Sequence, residues 1–242
     1  MWEILHNNAL LLLIGQYPHG PVGGLVATLG LALASLLLAL PCSVLLALGR
    51  ISPKWYFYYP ASAIVYVVRG LPLIMFIFWA YFFVPIIIGR PVAGVTTMIV
   101  ALVCYESAYL AEIIRAGIEA LPKGQYEAGR ALGLSHAATM RKIVLPQAFS
   151  NMLPSMLSQF ISTVKETSLA YVIGVQELTY AANQINSVLL TRPLEVFALL
   201  ALTYFVLNLL LSGVVMLIER RFKNRSSAYA HNDTLESELV NP

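Results

Sequence analysis

The chain has 242 residues, of which 59% are apolar and 11% are charged, and its formal net charge at pH 7 is +3. Soluble domains average about 25% charged residues, so this composition excludes an ordinary soluble protein. The small, scattered positive charge gives no reason to expect a nucleic-acid partner. Cys42 and Cys104 lie inside apolar runs, where buried thiols are expected rather than a disulfide. The four histidines are dispersed without ligand spacing, so the sequence predicts no metal site.

The first ninety residues or so contain a short terminal segment and two apolar blocks. Residues 1–20 contain no Lys or Arg, so the basic flank of a cleavable secretory signal is missing. Residues 22–48 are long enough for a first membrane span, which would itself direct the chain to the membrane. The second block, residues 56–88, is too long for one straight span at a rise of about 1.5 Å per residue. It contains Arg-Gly-Leu-Pro at 69–72, so we expect its front half to lie at the interface or pack separately, and the half from Pro72 onward to lie deep in the membrane.

Two more spans flank a long polar loop. The third span covers residues 92–118, and the polar loop follows at residues 120–149. A fourth apolar stretch, residues 152–173, is interrupted by Lys-Glu-Thr-Ser at 165–168.

The last span and the basic residues set the orientation. Residues 194–218 form the fifth predicted span, and residues 221–242 form a Ser-rich, acidic tail that we expect to be disordered. Cytoplasmic flanks of spans carry an excess of Lys and Arg. One set of flanks contains Arg50, Lys54, Lys123, Arg130, Arg141, Lys142, Arg220, Arg221, Lys223 and Arg225. The opposite flanks contain only Arg90 and Arg192. The sequence therefore predicts an all-α integral membrane protein whose five spans lie within residues 21–220, with residues 1–20 outside and the loop and C-terminus in the cytoplasm.

The centre of the polar loop, residues 127–146, reads EAGRALGLSHAATMRKIVLP. We predict two short helices here. The first covers residues 125–132 and is ended by Gly133 in a left-handed conformation; the second is capped by Ser135 and broken by Pro146. Basic side chains on the second helix leave open an amphipathic hairpin that anchors the domain on anionic lipid.

These residues also resemble the "EAA" cytoplasmic loop of the permeases of ATP-binding-cassette (ABC) importers, because they contain Glu-Ala-Gly, a later glycine and Ile-Val-Leu-Pro at a long, fixed spacing. The resemblance implies the type I importer permease fold and a loop whose first helix rests in a groove of a cytoplasmic ATPase. It implies ATPase-coupling positions at Glu127, Ala128, Gly129, Gly133, Ile143, Leu145 and Pro146. Gly129 departs from the pattern, which has a second alanine, and Gly in a helix interior costs about 1 kcal/mol relative to Ala.

Other segments resemble the branch of this family that carries polar amino acids. They are RGLPLI at 69–74, SAYLAEIIRAGI at 107–118, PKGQ at 122–125 and KETSL at 165–169. The resemblance implies a membrane-spanning transport subunit rather than an enzyme, in a bacterial-type cytoplasmic (inner) membrane. A permease for another small solute, such as methionine, is the nearest alternative.

The same resemblance implies the partners. No Gly-x-x-x-x-Gly-Lys-[Ser/Thr] phosphate loop occurs in the sequence, so ATP and Mg would be used by separate ABC ATPase subunits and no cofactor is expected on this chain. A second permease subunit, either a copy or a similar chain, and an extracytoplasmic amino-acid-binding protein would complete the system.

Several charged residues fall inside the predicted spans, where each costs at least about 2.5–3.5 kcal/mol at the helix centre. At roughly 100° per residue, Glu112, Arg115 and Glu119 share one side of the third span, and we predict structural ion pairs among them. Glu106 points away from this ladder and lies deeper in the membrane. It could line the path and receive a substrate's ammonium group, or it could pair with Arg69 or Lys165.

The remaining charges define a candidate substrate path. Lys165 and Glu166 are adjacent, so on a helix they cannot pair with each other. The two hydroxyl residues that follow can return hydrogen bonds to the backbone and ease a break, and broken helices near the midplane are where transporters bind substrate. Arg69 precedes Gly-Leu-Pro, and both an inter-helix charge partner and recognition of a substrate carboxylate remain open for it. The candidate path comprises Arg69, Glu106, Lys165, Glu166, Thr167 and Ser168.

Two other classes of protein are alternatives to this hypothesis. An ion-coupled carrier or channel that works without an ATPase would use Glu106, Glu112 and Lys165 as a relay, but it leaves the polar loop unexplained. An intramembrane enzyme would need a Ser/His or His-x-x-x-His arrangement, which the spans lack, so we expect no catalytic residues. Both signs of charge are present in the path, so the sequence does not select one amino acid.

Overall fold

A computed structural model describes the backbone of residues 1–240 and the side chains of residues 1–220, and its regular elements are helical. In chain order they are α1 Trp2–Ile14, α2 Gly24–Arg50, α3 Trp55–Gly70, α4 Leu73–Ile88, α5 Gly94–Glu119, α6 Lys123–Ala131, α7 His136–Thr139, a π-helical turn Met140–Val144, α8 Leu145–Glu166, a 3-10 segment Thr167–Ile173, α9 Leu178–Leu189 and α10 Pro193–Val240. The predicted disordered tail, residues 221–242, lies outside the residues that are described in full.

Three helices are long and apolar enough to cross a membrane, namely α2, α5 and the Pro193–Arg220 part of α10. The pair α3 and α4 counts as a fourth span if it is taken together, although the two helices are bent by 102°. The fourth predicted span, residues 152–173, corresponds to most of α8 and the 3-10 segment, which do not pass the same test of length and apolarity within the described residues.

The bend between α3 and α4 follows from the residues at the break. Pro72 lacks a backbone N–H and disfavours the helical conformation at the preceding residue. Accordingly Leu71 adopts extended dihedral angles, with φ −110° and ψ 141°. The second apolar block is therefore two helices of 16 residues each, and Arg69 lies at the end of the first.

Helix α5 lies at the centre of the main core. It packs against α2, α3, α4 and α8, and alanines such as Ala101, Ala108 and Ala111 are buried on its surface. Small side chains let neighbouring helices approach closely where no hydrophobic drive separates them from lipid. A second apolar cluster joins α1, α9 and the start of α10. The centre of the bundle is thus the helix that carries Glu106 and Glu112.

The helix after Ser135 differs from the prediction at Pro146. The helical path continues from His136 through the π turn and along α8 to Glu166, so Pro146 does not break it. The N–H of Leu145 donates to the carbonyl of Met140, five residues earlier. Because a π turn is wider than an α turn, it moves away the preceding carbonyl with which the proline ring would otherwise clash.

Candidate functional site

The polar loop is built from α6 and the helical rod that follows it. Helix α6 ends in a Schellman motif, in which the N–H of Leu134 donates to the carbonyl of Gly129 at 3.2 Å and the N–H of Gly133 donates to that of Arg130 at 3.0 Å. Gly133 has φ +80°, as the sequence predicts. The hydroxyl of Ser135 then accepts a hydrogen bond from the N–H of Ala138 at 3.2 Å and caps the rod.

Gly129 lets α6 lie directly against the rod. It is buried, and a Cβ atom at this position would lie 2.6 Å from Cγ2 of Thr139 and 2.9 Å from Cδ1 of Ile143. The loop therefore departs from the alanine of the family pattern because the backbone of α6 approaches Thr139 too closely for a methyl group. Tyr126 adds a polar tie, since its hydroxyl lies 2.7 Å from Nδ1 of His136.

The opposite face of α6 is free of the bundle. Glu127 and Ala128 are exposed, and Leu132 has 80% of its surface exposed. Of the other predicted coupling residues, Ile143 and Leu145 are half-buried under the loop. Sequence reasoning missed Leu132, although an apolar residue directly before a helix-ending glycine is a visible signal. The loop presents a short apolar and acidic surface on a rigid base.

Arginine side chains of three helices meet at Glu112. Its carboxylate pairs with Arg50 at the end of α2 and with Arg115 on α5, and Nη1 of Arg69 lies 3.8 Å from Oε2. Arg115 pairs in turn with Glu119, so the ladder predicted on α5 is present. From the sequence, Arg50 was expected only as one of the basic residues that flank the spans. In the structure, only 5% of its side chain is exposed. Its pairing with Glu112 was not predicted, because pairing between distant residues leaves no local signal.

Glu106 lies deep in the bundle and faces α8. Its side chain is fully buried, and it accepts hydrogen bonds from Nε2 of Gln159 at 3.0 Å and from the hydroxyl of Thr163 at 2.8 Å. Glu166, the last residue of α8, is close enough to interact electrostatically with Glu106, and its Oε2 atom is buried without a hydrogen-bond partner among the described residues. Two carboxyl groups thus meet where α5 and α8 cross.

The helix tightens immediately after these carboxyl groups. The hydroxyl of Thr167 donates to the carbonyl of Val164 and that of Ser168 to the carbonyl of Lys165, both at 2.7 Å. The chain continues as the 3-10 segment and ends it at Gly174. Lys165 is exposed and points away from the buried pair.

A second fully buried glutamate, Glu177, was not predicted as a functional or structural residue from the sequence. Its carboxylate caps α9 by accepting hydrogen bonds from the N–H groups of Thr179 and Tyr180, each at 2.9 Å. It also accepts from the hydroxyl of Tyr204 on α10 at 3.0 Å. An acidic residue directly before an amphipathic helix is a signal for such a cap.

Comparison with known proteins identifies the family. A family model described as "binding-protein-dependent transport system inner membrane component" matches residues 39–224. The chain belongs to this family. This match confirms the family that was predicted from the loop. It also confirms the prediction that the chain is a transport subunit rather than an enzyme.

Curated relatives cover most of the chain. The arginine transport system permease protein ArtQ of Bacillus subtilis (strain 168) is 34% identical over 83% of this chain and 91% of its own length. The glutamine transport system permease protein GlnP of Escherichia coli (strain K12) is 34% identical over 84% of this chain and 92% of its own.

Solved structures show the same fold. An amino acid ABC transporter solved with histidines matches with a TM-score of 0.76 and 37% identity, over 82% of this chain and 92% of that one. An inward-facing methionine ABC transporter, MetNI, matches with a TM-score of 0.67 at 24% identity, over 81% of this chain and 91% of that one, which shows the fold alone. The permease is thus of the type I ABC importer fold.

Proposed function

We propose that this permease forms the membrane path of an ATP-driven importer for polar amino acids in the cytoplasmic (inner) membrane of a bacterium. The observation that carries the proposal is the exposed face of α6 on a loop with the spacing of the ABC-importer family. Relatives that carry arginine and glutamine, at 34% identity over most of the chain, support polar amino acids as the substrate class.

The loop couples the ATPase to the path through one continuous element. Glu127, Ala128 and Leu132 contact the ATPase, while Gly129 and Gly133 set the shape and angle of α6. Ile143, Leu145 and Pro146 belong to the rod that runs on into α8. About 13 residues, or roughly 20 Å of helix, separate Pro146 from Gln159, which donates to Glu106. A displacement of the loop therefore reaches the side chains around Glu106 without crossing a flexible joint.

The permease crosses the membrane five times, with its N-terminus outside and its C-terminus in the cytoplasm. Helix α8 and the 3-10 segment form the fourth span although they are polar, because Gln159 and Thr163 face Glu106 inside the bundle. The distribution of Lys and Arg supports this orientation. Alkaline phosphatase fused after residue 220 would be inactive in this topology, and active enzyme there would reverse it.

The substrate passes the carboxyl groups of Glu106 and Glu166, which receive its positively charged group. Thr167 and Ser168 belong to the break that gives the path its width, and Lys165 lies at its edge. Support comes from the buried, unpartnered Oε2 atom of Glu166, since a buried acceptor without a partner is costly unless a ligand satisfies it. Arg69 lies on the cytoplasmic side of this pair.

The chain works with partners. Two ABC ATPase subunits use ATP and Mg, a second permease completes the path, and an extracytoplasmic binding protein delivers the amino acid. ATP binding closes the ATPase pair and moves both coupling helices inward, so that the spans open outward; hydrolysis reverses the motion.

Gentle purification of the tagged chain from its native membrane tests the proposal. Mass spectrometry is expected to identify an ABC ATPase with the native chain and not with a Gly133→Asp variant, together with any second permease. Recovery of the native chain intact and alone would contradict the coupling role and favour a carrier that works without ATP.

A further inference from the structure

Arg69 occupies an unusual position beside the candidate path. It is the second-last residue of α3, directly before the 102° bend. Its guanidinium lies over the ring of Tyr109 on α5, 5.2 Å from the ring centroid, and 38% of its side chain is exposed. The aromatic face holds the cation in place without using its N–H donors.

Those donors are unused. The distance of 3.8 Å from Nη1 to Glu112 is too long for a hydrogen bond, and no acceptor for Arg69 is present among residues 1–220. Glu112 does not depend on Arg69, because Arg50 and Arg115 both hold its carboxylate directly. The cluster has three arginines for the carboxylates of Glu112 and Glu119, so one positive charge is in excess.

A guanidinium with free, parallel N–H groups fits a carboxylate, which it binds through two hydrogen bonds. We propose that Arg69 binds the α-carboxylate of the amino acid in the path. This inference rests on the proposed function and adds the group that the substrate must present. When the carboxylate arrives, Arg69 can turn from Glu112 toward it, and Glu112 keeps two arginine partners.

The spacing along α5 suits an amino acid that lies between Arg69 and the carboxyl groups of Glu106 and Glu166. Tyr109, beneath Arg69, is three residues from Glu106, which is about 4.5 Å along the helix axis. The hydroxyl of Tyr109 lies 3.0 Å from that of Tyr105, the residue directly before Glu106 in the sequence. A substrate with its carboxylate at Arg69 therefore directs its positively charged group toward Glu106 and Glu166. Because every amino acid has an α-carboxylate, Arg69 contributes to all substrates and does not distinguish their side chains.

The test measures how much the permease prefers a carboxylate over an amide. The permease–ATPase complex, purified from native membrane and placed in nanodiscs without the binding protein, is titrated with L-arginine, L-histidine, L-glutamine and L-glutamate and with the α-amide of each. For the wild-type complex we expect the acid to bind about tenfold more tightly than its amide, or more, as for loss of one charge-assisted pair. In Arg69→Gln this preference falls to near one, and in Arg69→Lys it lies between.

Glu112→Gln separates recognition from a structural role. If Arg69 binds the substrate, Glu112→Gln keeps the preference for the carboxylate, because it removes a competitor of the substrate. If Arg69 serves only as a partner of Glu112, Arg69→Gln and Glu112→Gln change binding to the same extent, and Arg69→Gln still prefers the carboxylate over the amide. That result would overturn the proposal. A wild-type complex that binds none of the probes would overturn the substrate path itself and the role of Arg69 with it.

Discussion

The two ends of the bundle are held together in different ways. At the outer end, which the proposed topology places outside the cell, the buried carboxylate of Glu177 joins α9 to α10, and the N–H of Leu178 donates to the hydroxyl of Thr28 on α2 at 3.1 Å. At the inner end, which the proposed topology places toward the cytoplasm, α2, α3 and α5 meet through charges at Glu112. The side chains of Arg69 and Arg115 are partly exposed there, while that of Arg50 is buried. Helix α6 presents one bare face at this end.

This difference indicates which end can move. A buried, fully satisfied hydrogen-bond network is costly to open, because each group left without a partner loses about 1–3 kcal/mol. Partly exposed ion pairs exchange partners at little cost, since water and other charges replace them. In the proposed importer, the outer end therefore acts as a rigid support, and the inner end follows the ATPase.

The largest expected effect separates two leucines that are equally exposed at opposite ends. Leu132→Asp places a charge in the ATPase contact, and we expect ATPase binding to weaken on the order of a hundredfold. Leu190→Asp is the matched control, because Leu190 is 78% exposed and lies in the turn after α9, away from α6. Quantitative co-purification measures both. Equal losses in the two variants would contradict the assignment of α6 as the dock.

Glu177→Ala sharpens the account of the outer end. It removes the cap of α9 and leaves buried N–H groups without acceptors, so we expect a loss of about 1–3 kcal/mol of stability. Thermal unfolding of the purified protein, followed by tryptophan fluorescence, measures it. Glu177→Gln retains a carbonyl acceptor and should lose less. An unchanged unfolding temperature in Glu177→Ala would show that the network does not support the outer end.

Glu106→Gln provides a comparison between two fully buried glutamates. The amide is almost isosteric, its oxygen can still accept from Thr163, and Gln159 can turn its own amide oxygen toward the new N–H group. Stability should therefore change little, while the loss of charge should lower uptake by about tenfold. The opposite pattern is expected for Glu177→Gln, which should lower the stability of the protein and leave the uptake per folded molecule unchanged. Uptake in proteoliposomes, normalised to folded protein, distinguishes them; equal uptake by Glu106→Gln and wild type would remove Glu106 from the path.

The smallest expected effect concerns the fit of α6. Gly129→Ala gains up to about 1 kcal/mol of helix propensity, but its methyl group would meet Cγ2 of Thr139 at 2.6 Å. We therefore expect ATPase binding to weaken a few-fold through a displaced α6. Thr139→Ser removes that methyl contact and should restore binding in the double variant. Stronger binding by Gly129→Ala alone would show that the close approach is not required.

The features that were predicted correctly from the sequence are those that depend on neighbouring residues in the chain. Gly133 and Ser135 mark the ends of the loop helices through dihedral angle and capping, and Pro72 marks the bend, because each acts on its immediate neighbours. The prediction that Pro146 breaks the helix was wrong, because the π turn before it accommodates the proline ring. Helix α6, which lies earlier in the chain, packs against this turn. Arg50 and Glu112 lie 62 residues apart, so their pairing could not be predicted from one sequence.

The most direct measurement is uptake of radiolabelled L-arginine and L-glutamine by proteoliposomes that contain the permease complex and the binding protein. The account predicts uptake with MgATP on the ATPase side, and none with a non-hydrolysable ATP analogue or with Leu132→Asp. Uptake driven by an ion gradient without ATP, and unchanged in Leu132→Asp, would contradict it.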